Sequence, residues 1–124
     1  MRYLLFLLLF QGFSSTTIAQ ARLEPVAPLF KFPKATEGQQ LVHYFVFKNT
    51  GNAPLAITDY KVGCVCTKVI FPLKPIMPGQ TDSIRVNFDT EAKTGYQLRA
   101  ISIYSNSVPD PVELRFKVFV RKRE

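Results

Sequence analysis

Val112-Glu113-Leu114-Arg115-Phe116-Lys117-Val118-Phe119-Val120-Arg121 decides the fold. Extended backbone sends alternate side chains to opposite faces, so Val112, Leu114, Phe116, Val118 and Val120 share one face. Glu113, Arg115, Lys117, Phe119 and Arg121 share the other. A period of two, carried by β-branched and aromatic residues, marks a strand with one buried face. Upstream, Ile84, Val86 and Phe88 alternate with Ser83, Arg85 and Asn87 in the same way. Between these two runs, Tyr96 to Tyr104 is also apolar at alternate positions, but its phase changes near Ala100. A β-bulge there would reconcile Leu98 with Ile101 and Ile103.

Further toward the N-terminus, Lys68-Val69-Ile70-Phe71 precedes Pro72, Pro75 and Pro78-Gly79. Proline cannot donate to a ladder and glycine tolerates positive φ, so this stretch predicts a short edge strand and a corner between sheets. Leu55 to Val62 reads as another strand. Gln40 to Lys48 reads as a central one, with Leu41, His43, Phe45 and Phe47 on a common face, Gly38 before it and Asn49-Thr50-Gly51-Asn52 after it. A first strand is expected at Leu29-Phe30-Lys31-Phe32. About seven short strands separated by turn signals, with no sustained helical period, predict an all-β protein with an immunoglobulin-like β-sandwich fold. The chain contains no tryptophan and no cysteines spaced to bridge two sheets, which excludes an antibody-type domain.

Of the 124 residues, 1–19 have the layout of a secretory signal peptide: Arg2, an apolar run from Leu4 to Phe10, then small and polar residues ending in Thr17-Ile18-Ala19. The run is shorter than the ~20 residues of a membrane span. Cleavage after Ala19 is expected, with no transmembrane span left afterwards, and the absence of a following cysteine argues against a lipoprotein. Residues 20–28, with two prolines and little periodicity, read as an extended lead-in, and 29–124 as one sandwich domain. The expected setting is the periplasm or the extracellular space. The formal charge is +7, with basic residues scattered apart from Arg121-Lys122-Arg123. That charge suits a solvated surface, and a sharper reading is weak contact with an anionic envelope surface. An exported protein rarely meets nucleic acid, so none is expected as a partner.

The one constellation with chemistry of its own is Gly63-Cys64-Val65-Cys66-Thr67, which holds both cysteines. An extended Cys64-Val65-Cys66, with both sulfurs on one face, would place the Cα atoms about 6.5 Å apart, so a disulfide would need a local kink. A loop of three residues restricts the unfolded chain little, so such a bond makes a poor staple and suits exchange or sensing. The alternatives are a structural pair without activity, thiol-disulfide chemistry, or copper(I) handling by Cys64 and Cys66. His43 and Met77 are the only other soft or imidazole donors after residue 19, too few for a tetrahedral zinc site. No metal or cofactor is therefore expected. His43 lies among apolar neighbours and is read as a half-buried core histidine; a Cys-His nucleophile would need it beside Cys64 or Cys66. With no phosphate loop, nucleophile elbow or paired-histidine zinc motif, an enzyme is not expected.

Taken in order, Asn49-Thr50-Gly51, Cys64-Val65-Cys66-Thr67, Pro75-Ile76-Met77-Pro78-Gly79 and Ser105-Asn106 resemble the bacterial domain-of-unknown-function family numbered fifteen seventy-three. These are exported immunoglobulin-like proteins related in architecture to ASH and major-sperm-protein domains. The resemblance runs from about Phe30 to Val120 and implies an immunoglobulin-like fold in the envelope or outside the cell, without an assigned activity. The family's cysteine element is usually Cys-Gly-Cys-Thr. Here Val65 holds the middle position, which puts a glycine-dependent turn in question. The expected function is that of a non-catalytic exported module binding another envelope or extracellular protein, by strand addition at an irregular edge near Tyr96–Tyr104 or Pro72–Pro78. The alternative is a redox or copper-handling protein acting through Cys64 and Cys66.

Overall fold

The computed structural model describes Gly12 and residues 18–124. The expected export signal, 1–19, lies outside this range apart from Gly12, Ile18 and Ala19, which are exposed. The described residues form nine strands: β1 (Leu23–Pro25), β2 (Leu29–Lys31), β3 (Ala35–Thr36), β4 (Gln40–Asn49), β5 (Ile57–Val62), β6 (Thr67–Ile70), β7 (Thr81–Asp89), β8 (Gly95–Ser105) and β9 (Val112–Arg121). One sheet has the order β1-β4-β7-β6 and the other β2-β9-β8-β5, with β3 also pairing to β9. The two sheets make the immunoglobulin-like sandwich that the alternating runs predict. The two strands beyond the expected seven are β1 and β3, of three and two residues, too short to carry a period.

The core is the sum of the inward faces. Phe45, Phe47, Ile84, Val86 and Phe88 of the first sheet and Ile101, Ile103, Leu114, Phe116, Val118 and Val120 of the second are all buried. Phe116 meets Phe88 and Phe32 with ring centroids 5.1 and 5.5 Å apart. Residues 20–28 contain β1, whose Leu23 joins Ala21 in the core, and bend at Val26 and Pro28.

The turn residues are structural anchors. Asn49, fully buried, donates from Nδ2 to the carbonyls of Ala53 (2.8 Å) and Ile76 (2.9 Å), while its Oδ1 accepts from the amides of Arg22 (3.2 Å) and Gly51 (3.0 Å). It therefore ties β1, the following turn and the proline-rich segment to one point. Gly51 has no alternative residue, because a Cβ there would overlap the Gln20 carbonyl and lie 2.7 Å from the Arg22 nitrogen. Gly79 has φ +83° in the Met77–Gln80 turn, as the Pro78-Gly79 signal predicts. Asn106 bonds Ala56 and Pro54, and buried Ser107 accepts the Leu23 amide.

The bulge expected near Ala100 is absent. β8 and β9 pair without a shift from Gly95↔Val120 to Ile103↔Val112, and the irregularity falls instead in β5, between Ile57 and Asp59. β8 keeps its phase by turning Tyr96 and Leu98 outward and Gln97 and Arg99 inward. The Arg99 guanidinium lies 5.3 Å from the Phe88 ring centroid, filling with a polar-tipped chain the space a leucine would have occupied.

Candidate functional site

Cys64 and Cys66 form a disulfide, with Cα atoms 5.2 Å apart. The extended conformation expected for Cys64-Val65-Cys66 is not adopted. The Thr67 amide donates to the Cys64 carbonyl (3.1 Å), which closes a four-residue turn with Val65 and Cys66 at its centre. Neither central residue has positive φ, so a β-branched valine fits where a glycine had seemed necessary. The Asp89 amide bonds the Cys66 carbonyl (2.9 Å) and fixes the turn to the end of β7. Both cysteines are half-buried, and Val65 between them is 96% exposed. The bond is thus carried on a projecting turn between the two sheets.

His43 is held elsewhere. It lies on β4 with its ring stacked on Phe30 (centroids 3.6 Å apart) and edge-on to Phe45 (4.6 Å). Because β7 stands between β4 and β6, two strand spacings of about 5 Å separate His43 from the strand that follows the cysteines. Burial pushes its pKa down from the ordinary 6.5. Among the described residues, no group of three or more His, Cys, Asp or Glu side chains gathers as a metal site. No helix of the described residues is long and apolar enough to cross a membrane.

A second feature was only half legible. The region Tyr96–Tyr104, expected as an edge, is an inner strand over its second half and an edge over its first. β5 pairs with β8 only from Ser105 back to Ile101, after which the chain leaves at Gly63 for the cysteine turn. Gly95 to Ala100 is therefore paired with β9 alone among the described residues. The direction of the free groups follows from β9. The Arg115 amide donates to Pro28 (2.8 Å) and the Lys117 carbonyl accepts from Phe32 (2.9 Å), so both residues face β2. Their partners Ala100 and Leu98, and Tyr96 by alternation, point N–H and C=O away from β9. Among the described residues, only the Leu98 carbonyl of these groups has a partner, the Arg99 Nη1 at 2.9 Å. Arg99 Nη2 is held by Gln97 Oε1 at 2.7 Å, and its Nε is buried without a partner. An inward charge of this kind guards a strand edge. The mismatch lies between the observed strands, six residues in β5 against eleven in β8, whereas the sequence runs Leu55–Val62 and Tyr96–Tyr104 are nearly equal and gave no signal of it.

Two packed, mostly antiparallel sheets with one half-open strand define an immunoglobulin-like domain. The chain belongs to the family described as Protein of unknown function (DUF1573), whose model matches residues 24–120. No curated protein sequence matches it. Among solved structures it is similar to a protein of unknown function from Porphyromonas gingivalis W83, at 18% identity and a TM-score of 0.72. That likeness covers 87% of this chain and 51% of the other, so this chain spans about half the length of that relative. It is also similar to the ASH/PapD-like domain 7 of human CEP192 (11% identity, TM-score 0.58, 90% of this chain and 92% of that one). The Escherichia coli chaperone DraB resembles it at 17% identity and a TM-score of 0.51, over 84% of this chain and 56% of DraB. At these identities the likeness is one of fold.

Proposed function

We propose that this protein is a non-catalytic, exported interaction module of the bacterial envelope that takes up an extended segment of a partner protein along Gly95–Ala100. The observation that carries this reading is the unpaired side of β8, where a partner strand would continue the line that β5 abandons at Val62. Backbone bonding to Tyr96, Leu98 and Ala100 would supply affinity, and the exposed Tyr96 and Leu98 side chains would supply selectivity. The incoming strand would displace Arg99 from the Leu98 carbonyl. Photo-crosslinkers placed singly at Leu98 and at Tyr44, on the opposite sheet, test the assignment in producing cells. Partner adducts confined to Leu98 support it, and adducts at Tyr44 alone, or equal at both, would sink it.

A second reading is favoured by the exposed disulfide turn. In thiol-disulfide exchange a dithiol partner would be oxidised to its disulfide while Cys64 and Cys66 are reduced to two thiols, through a mixed disulfide. Serine at both positions separates the two: partner capture survives under strand addition and is lost under exchange.

A further inference from the structure

The outer face of the five-stranded sheet carries a groove unrelated to the cysteines. β2 and β3 both run along β9, but the chain between them steps away at Pro33, which cannot donate to a ladder. This opens a depression of about 480 Å³ over β9, within the range of small-ligand sites. Its lining includes Phe119 and Tyr96, Pro33 and Lys34 of the segment between β2 and β3, and the neighbouring Lys31 and Lys117.

Two features of this groove go against ordinary sheet design. Tyr96 stands 86% exposed, its ring edge-on to Phe119 at 4.9 Å, so a broad aromatic face is left bare. Lys31 and Lys117 are direct neighbours in the β2–β9 register, both exposed and on the same face. Like charges side by side on adjacent strands repel. The ion pairs among the described residues, Arg115–Glu113 and Arg123–Glu91, lie elsewhere and relieve neither lysine. A third cation, Lys34 Nζ, stands 5.3 Å from the Phe119 centroid and brings positive charge over that ring.

We infer that this groove binds an acidic saccharide, a sugar unit bearing carboxylate or phosphate. The bare Tyr96 ring offers flat apolar contact to a pyranose face, and lysines act as compact point charges for an anionic substituent. The backbone groups of β8 and β9 lie in the plane of the sheet, so a peptide laid across this face would find no ladder to join. A saccharide carries no backbone amides that need one. The ligand would settle between Lys31 and Lys117, whose repulsion its charge relieves, with its ring against Tyr96 and Phe119. Strand addition makes no use of Lys31 or Lys117, and the groove makes no use of the free backbone groups of Leu98 and Ala100, so either can fail alone.

The test is an NMR titration of the full-length, nitrogen-15-labelled protein with digalacturonate and with maltose 6′-phosphate, using cellobiose and hexaglutamate as controls. At least one acidic sugar is expected to shift the Tyr96, Lys117 and Phe119 amides saturably, with a Kd of about 1 mM or tighter. Tyr96→Ala, at an exposed site, is expected to weaken that binding about tenfold, and the double change Lys31→Gln with Lys117→Gln to abolish it, with melting temperatures unchanged or raised. Absence of saturable shifts with both acidic sugars overturns the proposal. So does hexaglutamate binding as tightly, which would point to an acidic peptide, or cellobiose binding as tightly, which would remove any role for charge.

Discussion

Asn49 concentrates more of the fold in one side chain than any residue of the apolar core does. Its four hydrogen bonds are made in a fully buried site, so Asn49→Ala takes the side-chain partner from the Arg22 and Gly51 amides and the Ala53 carbonyl, while the Ile76 carbonyl keeps the Leu55 amide. A loss of at least about 2 kcal/mol is expected, read as a lowered urea midpoint. Asparagine at a strand end was legible only as a turn former, because sequence does not show that Arg22 and Ile76 come back to it. His43 carries a pH dependence whose sign follows from its lowered pKa. The unfolded chain takes up a proton near pH 6.5 and the folded one resists it, so stability is full above that pH and declines as pH falls below it. His43→Phe keeps the stack on Phe30 and should flatten melting temperature against pH between about 7.5 and 5.5. An unchanged slope would contradict this. The cysteines are expected to matter little for folding. Reduction, or serine at both positions, should cost under about 2 kcal/mol, since the closed loop spans three residues, and a larger loss in a urea melt would show the turn itself depends on the bond.

Among the elements, β8 is where periodicity misled. Its apolar residues suggested a bulge, whereas the strand runs straight and changes the chemistry of its inner face once β5 has gone. Period-two reasoning assumes that the inner face is dry along its whole length, and the mouth of a sandwich is not. β4, β7 and β9 have partners on both sides and were legible almost residue by residue; β2 falls where a first strand is expected, while β1 and β3 have too few residues for any pattern. The open half of β8 gives an alternating expectation for hydrogen exchange. The Tyr96, Leu98 and Ala100 amides should exchange fast, and those of Gln97 and Arg99 slowly, by NMR. Uniform protection across Tyr96–Ala100 would mean that this edge is covered.

As a whole, the molecule is held by packing between two sheets, with a single disulfide that is local to one turn. Phe116 touches both the N-terminal Phe32 and Phe88 of the opposite sheet, so Phe116→Ala should cost about 3–5 kcal/mol, far more than loss of the disulfide, in the same urea melt. The sandwich was legible because its alternation is long; the pairing of β2 and β3 with β9 was not, since parallel contacts between chain ends leave no local trace. That pairing also orders events in time. Leu29 lies opposite Arg115, so an early strand waits for a residue made 86 positions later (115 − 29). A chain stopped short of Val112 would lack the strand on which β2, β3 and β8 all lean, and should show no cooperative melt. A nascent chain with this topology cannot close early, and its N-terminal strands stay unclasped until β9 has followed.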